Sequence, residues 1–196
     1  MQIVLLDEVL PEPWRNGGGT TRPLASGWAN AGSEHAALSR DDAAPDWRLS
    51  LANIVADGEF SVLPGMDRHA LLLGSGEVSL TSSSTEPVCA RPLQAIRFAG
   101  EPRWYAQREP GSGQTQFLNL MVRRSLVRGE LRVIGQACQV GSVAAWALLP
   151  LAGRWQVSGD VVVAQGQLAW DRAGPGPHCL PLDDDASAVL VRVHSI

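Results

Sequence analysis

The sequence contains no lysine; all 16 of its basic residues are arginine. Against 20 acidic residues this leaves a net charge of −4, and the arginines are scattered along the chain. No basic block is present to neutralise a run of phosphates, which argues against nucleic acid as a partner. A GC-rich genome accounts for the missing lysine, yet arginine is also the better residue for a planar, two-pronged grip on a carboxylate. Cysteine is scarce. Cys89, Cys138 and Cys179 are odd in number, far apart and free of any Cys-x-x-Cys spacing. That pattern predicts reduced thiols in a cytoplasm, not a disulfide framework. No apolar run approaches a membrane span, and the opening MQIVLLDEVLPEPW lacks the positive region of a signal peptide. The expectation is a cytoplasmic protein with no membrane partner.

The signatures of catalysis are missing too. There is no Gly-x-Ser-x-Gly elbow, and no cysteine sits in a recognisable histidine context. Glu59 and Glu77 are uninformative on their own, and Asp183-Asp184-Asp185 reads as a solvated turn. His35, His69, His178 and His194 lack ligand spacing, so a metal site would need distant residues. No metal and no cofactor are expected.

What the sequence does have is turns and alternation. Its 20 glycines and 13 prolines, with a 45% apolar fraction, suit many short strands around a proper core. The organising stretch is Trp47 to Leu80. Trp47, Leu49, Leu51, Asn53 and Val55 fall on one side, and Arg48, Ser50, Ala52 and Ile54 on the other. Asp57-Gly58 and Pro64-Gly65 break the chain, and further alternation follows, giving a meander. In FLNLMVR, Asn119, Met121 and Arg123 share a face opposite Leu118, Leu120 and Val122. Asn119 is then either a satisfied core amide or a ligand contact. No segment shows sustained helical periodicity. The second half repeats the first in weaker form: Ala147 to Val157 echoes Ala70 to Leu80, and Val163 to Trp170 echoes Leu93 to Phe98. The chain therefore divides into β-rich halves, 1–115 and 116–196, with strands shared across the boundary left open. Ser26 to Asp46 reads as a surface loop with a solvated His35.

The segment Trp14-Arg15-Asn16-Gly17-Gly18-Gly19-Thr20-Thr21-Arg22 has two readings. Its glycine amides could cradle an anion between two arginines, or it is a surface turn. It is not a phosphate loop, because the Gly-Lys-Ser/Thr ending is absent.

Taken together, WRNGGGTTR, WRLSLANIVADGEFSVLPGMDR, LLLGSGEVSL, IRFAGE and LNLMVRR resemble, in order, the HutD/Ves family of bacterial proteins associated with histidine utilisation. The resemblance covers most of the first 124 residues. Two positions depart from it: Phe117 stands where the family usually has an acid, and Pro23 where a glutamate often follows Thr-Arg. The resemblance implies an all-β bicupin, two cupin-like barrel or jelly-roll units in one chain with little helix. It also implies a pocket in the first unit for a small carboxylate of histidine catabolism, formylglutamate being the leading candidate, in a regulatory or sensing role. Metal-binding cupins carry His-x-His and then Glu after a Pro-Gly turn; here Pro64-Gly65 is followed by Met66-Asp67-Arg68-His69.

The expected ligand-binding residues are Arg15, Asn16, Arg48, Ser50, Arg68 and Asn119, with Thr21 and Arg22 in a second rank because Arg22 could equally bind an internal acid. The expected partner is a small anionic metabolite, and a homodimer is left open. A non-enzymatic binder is preferred. An enzyme acting on such a metabolite and a structural or interaction module are the alternatives.

Overall fold

The computed structural model describes residues 1–29 and 44–196. Among these, the only helical element is the 3-10 turn Leu6–Glu8; everything else regular is strand. His35 and most of the segment read as a loop lie outside the described residues.

The strands form four sheets. A six-stranded sheet runs in the order Glu12–Pro13, Gly19–Gly27, Trp47–Ile54, Thr115–Arg123, Met66–Leu72, Ala95–Ala99. It faces a four-stranded sheet of Gly58–Glu59, Tyr105–Arg108, Val78–Thr81 and Val88–Ala90. A five-stranded sheet is built from Gln2–Leu5, Gln167–Pro175, Ser142–Ala152, Ser187–Ser195 and Val127–Ile134. It faces Cys138–Gln139, His178–Pro181, Arg154–Val157 and Val162–Ala164. The same strand order thus recurs. Trp47–Ile54, Thr115–Arg123, Met66–Leu72 and Ala95–Ala99 in one half match Val127–Ile134, Ser187–Ser195, Ser142–Ala152 and Gln167–Pro175 in the other.

Burial follows from alternation. Ala52, Ile54, Ala70, Leu72 and Phe117 point between the first two sheets, where they meet Val78, Leu80 and Ala106. Their neighbours Leu49, Leu51, Leu71, Leu118 and Leu120 point the other way and pack on Leu131, Ala147, Leu149, Leu168, Val189 and Val191 of the five-stranded sheet. The two large sheets therefore lie back to back through apolar faces, and apolar residues recur on their other faces as well. This is why Ser142–Ala152, SVAAWALLPLA, reads as a nearly continuous apolar run. The interior of the second half is closed by Trp146, Trp155, Val140, Leu148 and Leu190.

The structure adds three details that local pattern did not carry. The stretch Val163 to Trp170 is a hairpin: Val162–Ala164 turns at Gly166, with φ of +86°, into Gln167–Pro175. The strands Tyr105–Arg108, Val127–Ile134 and His178–Pro181 had no clear sequence signal and are present. Sheet membership also changes at 124–126 instead of 115/116, since Thr115–Arg123 lies inside the first half's sheet. Gln2–Leu5 crosses the other way and pairs with Gln167–Pro175 through Gln2 and Trp170.

Candidate functional site

The candidate site is the cavity between the six-stranded sheet and its cover, with a volume of about 600 Å³. Its wall is set by register. Met121 is opposite both Arg48 and Arg68 on the flanking strands. One step along, Asn119 is opposite Ser50 on one side and Ala70 on the other. Two residues rise about 6.6 Å along a strand, and neighbouring strands lie about 4.8 Å apart. The wall therefore carries a row with two arginines and, next to it, a neutral polar row, above an apolar floor of Ala52, Ile54 and Phe117.

Arg68 is the unusual member. It is only 5% exposed, and it has no carboxylate partner among the described residues. Its Nη2 donates to the Ser61 carbonyl at 2.5 Å. Its Nε is buried without an acceptor among the described residues. The guanidinium carbon lies 5.4 Å from the centroid of Phe60 and 6.0 Å from that of Phe98. Burial pulls the Arg68 guanidinium down to about 10, still charged at neutral pH. Ser50, 1% exposed, and Asn119, 9% exposed, line the cavity beside it, and their side chains have no hydrogen bond to any described residue.

Arg48 differs: it is partly exposed and lies 3.7 Å from Glu12, which also lines the cavity. Arg15 lines the mouth. Asn16 lines it as well, but its Oδ1 accepts from Gly18 N at 3.0 Å and its Nδ2 donates to the Glu59 carbonyl at 3.4 Å. Thr21 Oγ1 accepts from Trp14 Nε1 at 2.8 Å. Seven of the eight expected residues, Arg15, Asn16, Thr21, Arg48, Ser50, Arg68 and Asn119, are thus brought to one cavity. Arg22 is not: its Nε donates to the Val9 carbonyl at 3.0 Å, on the opposite side of the strand from Thr21. Alternation within TTR carried that information.

The glycine run is not an anion cradle. Gly17 N donates to the Trp14 carbonyl at 3.0 Å, and Gly18 N is taken by Asn16. A Cβ on Gly19 would lie 2.3 Å from the Asn53 carbonyl oxygen, so this glycine lets two strands close. Lining residues that the sequence did not reveal are Glu12, Trp14, Phe60, Ser61 and Leu63. They come from short edge segments and connections with too few residues for a period.

No group of three or more His, Cys, Asp or Glu is placed to hold a metal ion among the described residues. His69 faces away from the cavity; its ring packs near Gly129, and burial, then Arg97, lowers its pKa. In the second half, Arg192 is neutralised by Glu130 at 2.8 Å.

The HutD family model matches residues 7–180, most of the chain. This chain belongs to the HutD family. Among its relatives, Protein Ves of Cronobacter sakazakii is 33% identical over 161 residues, covering 82% of this chain and 81% of that one. The solved structure of HutD from Pseudomonas fluorescens superposes with a TM-score of 0.77 at 18% identity, covering 100% and 98% of the two chains. A cupin 2 conserved barrel domain protein from Leptotrichia buccalis gives 0.56 at 9% identity over 100% and 96%. At such identities these structures speak to fold alone, and the fold of this HutD-family chain is cupin-like and all-β. No described helix is long and apolar enough to cross a membrane.

Proposed function

We propose that the chain is a metal-free binding protein for a small carboxylate, held in the first of two cupin-like units. The observation that carries this is Arg68: a buried, charged guanidinium that faces a cavity and forms no ion pair with any described acid. A buried charge is costly unless paired. A ligand carboxylate would supply both the counter-charge and the acceptor that Arg68 Nε lacks. Arg48 lies two strands away on the same row and reaches the same carboxylate once it leaves Glu12. Ser50 and Asn119 offer neutral hydrogen bonds to the rest of the ligand, and Phe117 and Ile54 cover its chain. HutD-family membership favours a carboxylate of histidine catabolism, formylglutamate-like, in a sensing or regulatory role. The Pseudomonas fluorescens HutD structure was obtained in a formate condition, and formate is the smallest carboxylate.

The test is thermal unfolding with formylglutamate, urocanate, glutamate and formate, each also followed for turnover. A ligand that binds only the folded protein stabilises it by about 2.7 kcal/mol at a hundred times its Kd. A rise in midpoint with one carboxylate and no product is expected. Product formation would favour the enzyme reading, and no shift with any carboxylate would refute the proposal.

A further inference from the structure

Cys138 and Cys179 are far apart in sequence and directly opposite in space. They are register partners on the antiparallel strands Cys138–Gln139 and His178–Pro181. Both side chains face the interior of the second half: Cys179 belongs to its core, with no exposed surface, and Cys138 packs against that core while staying half-buried. Two residues along, Val140 N donates to the Pro177 carbonyl at 3.0 Å. Hydrogen-bonded and non-hydrogen-bonded pairs alternate in an antiparallel ladder, so Cys138 and Cys179 form a pair of the hydrogen-bonded kind, with Cα atoms about 5.5 Å apart. That lies inside the disulfide range of roughly 4.4–6.8 Å. Both thiols are free.

We propose that Cys138 and Cys179 form a redox-active dithiol that low-molecular-weight disulfides close into a cross-strand disulfide. Cys138, reachable from solvent, attacks one sulfur of the small disulfide as thiolate. A Cys138–S–S–R bond forms, the R–S–S–R bond breaks, and one thiolate leaves and takes up a proton. Cys179 then gives its proton to solvent and attacks the Cys138 sulfur, expelling the second small thiol. The protein loses two electrons and two protons, and the small disulfide becomes two thiols. Burial, with Cys138 next, pushes the Cys179 thiol up to about 12, so the second step is the slow one. The strand carrying Cys138 is a two-residue edge strand between Gly135 and Gly141, the latter at φ of +82°, and can close the last ångström. A cross-link that draws the strands together is strained and correspondingly easy to reduce.

Cys89 is the internal control. It is exposed, its thiol donates to Glu77 Oε2 at 3.2 Å, which raises its pKa, and the residue opposite it in the ladder is Ser79, not a cysteine. The experiment incubates reduced, folded protein with glutathione disulfide, quenches with acid, counts thiols after denaturation and digests without reductant. Two of the three cysteines should be lost with no glutathione retained, and the peptides carrying Cys138 and Cys179 should be linked. Dithiothreitol should restore all three, and Cys89→Ser should lose the same two. Retention of all thiols, reaction confined to Cys89, a lasting glutathione adduct on Cys138, or any link involving Cys89 would overturn the proposal. Near-ultraviolet circular dichroism before the quench checks that the reacting species is folded.

Discussion

Arg48 and Arg68 both stand opposite Met121, one from each strand flanking it. Met121 is the spacer that holds two guanidinium groups on one wall at a separation of two strands, about 10 Å at the backbone. Arg48→Ala or Arg68→Ala should each remove a charge-assisted contact to a bound carboxylate, worth about 1.5–3 kcal/mol. That corresponds to binding weakened roughly 10- to 150-fold by isothermal titration. Arg172→Ala should change affinity little. Arg172 stacks 5.5 Å from Trp170 and donates to the Ser26 carbonyl; it lines a neighbouring cleft that meets the cavity at Glu12 and Arg48, and it is not part of the cavity wall itself. Unchanged affinity in folded Arg48→Ala and Arg68→Ala proteins would remove both from the site.

Arg68 should also be a burden to the empty protein. Burial moves its guanidinium from 12.5 to about 10, and a shift of that size sets a cost on the order of 3 kcal/mol. Arg68→Met nearly keeps the volume and loses the charge, while Ser61, an exposed residue, leaves its carbonyl able to turn to water. The variant should unfold at an equal or higher denaturant midpoint than wild type without ligand, and bind carboxylates poorly. A marked fall in midpoint would show that Arg68 is a structural residue.

Arg48 was legible because strand alternation sorts residues into faces, and Arg68 because it follows the Pro64-Gly65 turn, near where a metal-binding cupin carries its first histidine. Arg48 and Ser50 separate from Leu49 and Leu51, and Asn119 and Met121 from Leu118 and Leu120, with no structure needed. Which faces meet depends on register between strands far apart in the chain, and local pattern carries none of that. The family resemblance bridged the gap by bringing the segments together. Glu12, on an edge strand of two residues, shows no alternation at all, and the pairing of Gln2–Leu5 with Gln167–Pro175 depends on a partner at the far end of the sequence.

Stability should fall in acid through one cluster on the back of the Met66–Leu72 strand. Arg124 grips Glu101 with both Nη atoms, at 2.9 and 2.8 Å, and its Nε donates to Asp67 at 2.9 Å. The Arg124 hydrogen bond, and that from Gly65 N, hold the Glu101 carboxyl down to about 2. Burial pushes Asp67 up, but hydrogen bonds from Arg97 and Arg124 outweigh it and leave it lowered. Both groups are stronger acids when folded than when unfolded. Their contribution is therefore full above the ordinary carboxylate range near 4 and is lost as pH falls toward about 2. Urea midpoints should drop across that window for wild type and more gently for Asp67→Asn. Parallel pH profiles would exclude the cluster as the cause.

A fragment of residues 1–115 should not fold cooperatively. It lacks Thr115–Arg123 apart from its first residue, and that strand joins Trp47–Ile54 to Met66–Leu72 in the middle of the six-stranded sheet. It also leaves Leu49, Leu51 and Leu71 without the five-stranded sheet that covers them. A soluble fragment with a sharp single unfolding transition would contradict this.

The pairing of Gln2 with Trp170 sets an order of events during synthesis. Gln2–Leu5 leaves the ribosome well before its neighbour Gln167–Pro175 exists, and it must wait, unpaired, while the entire first half is made. Long-range pairing of this kind is slow to close. An unpaired strand edge is also what neighbouring chains capture. The interval between translating the first strand and translating its partner is thus the period in which this protein is most exposed to misassembly.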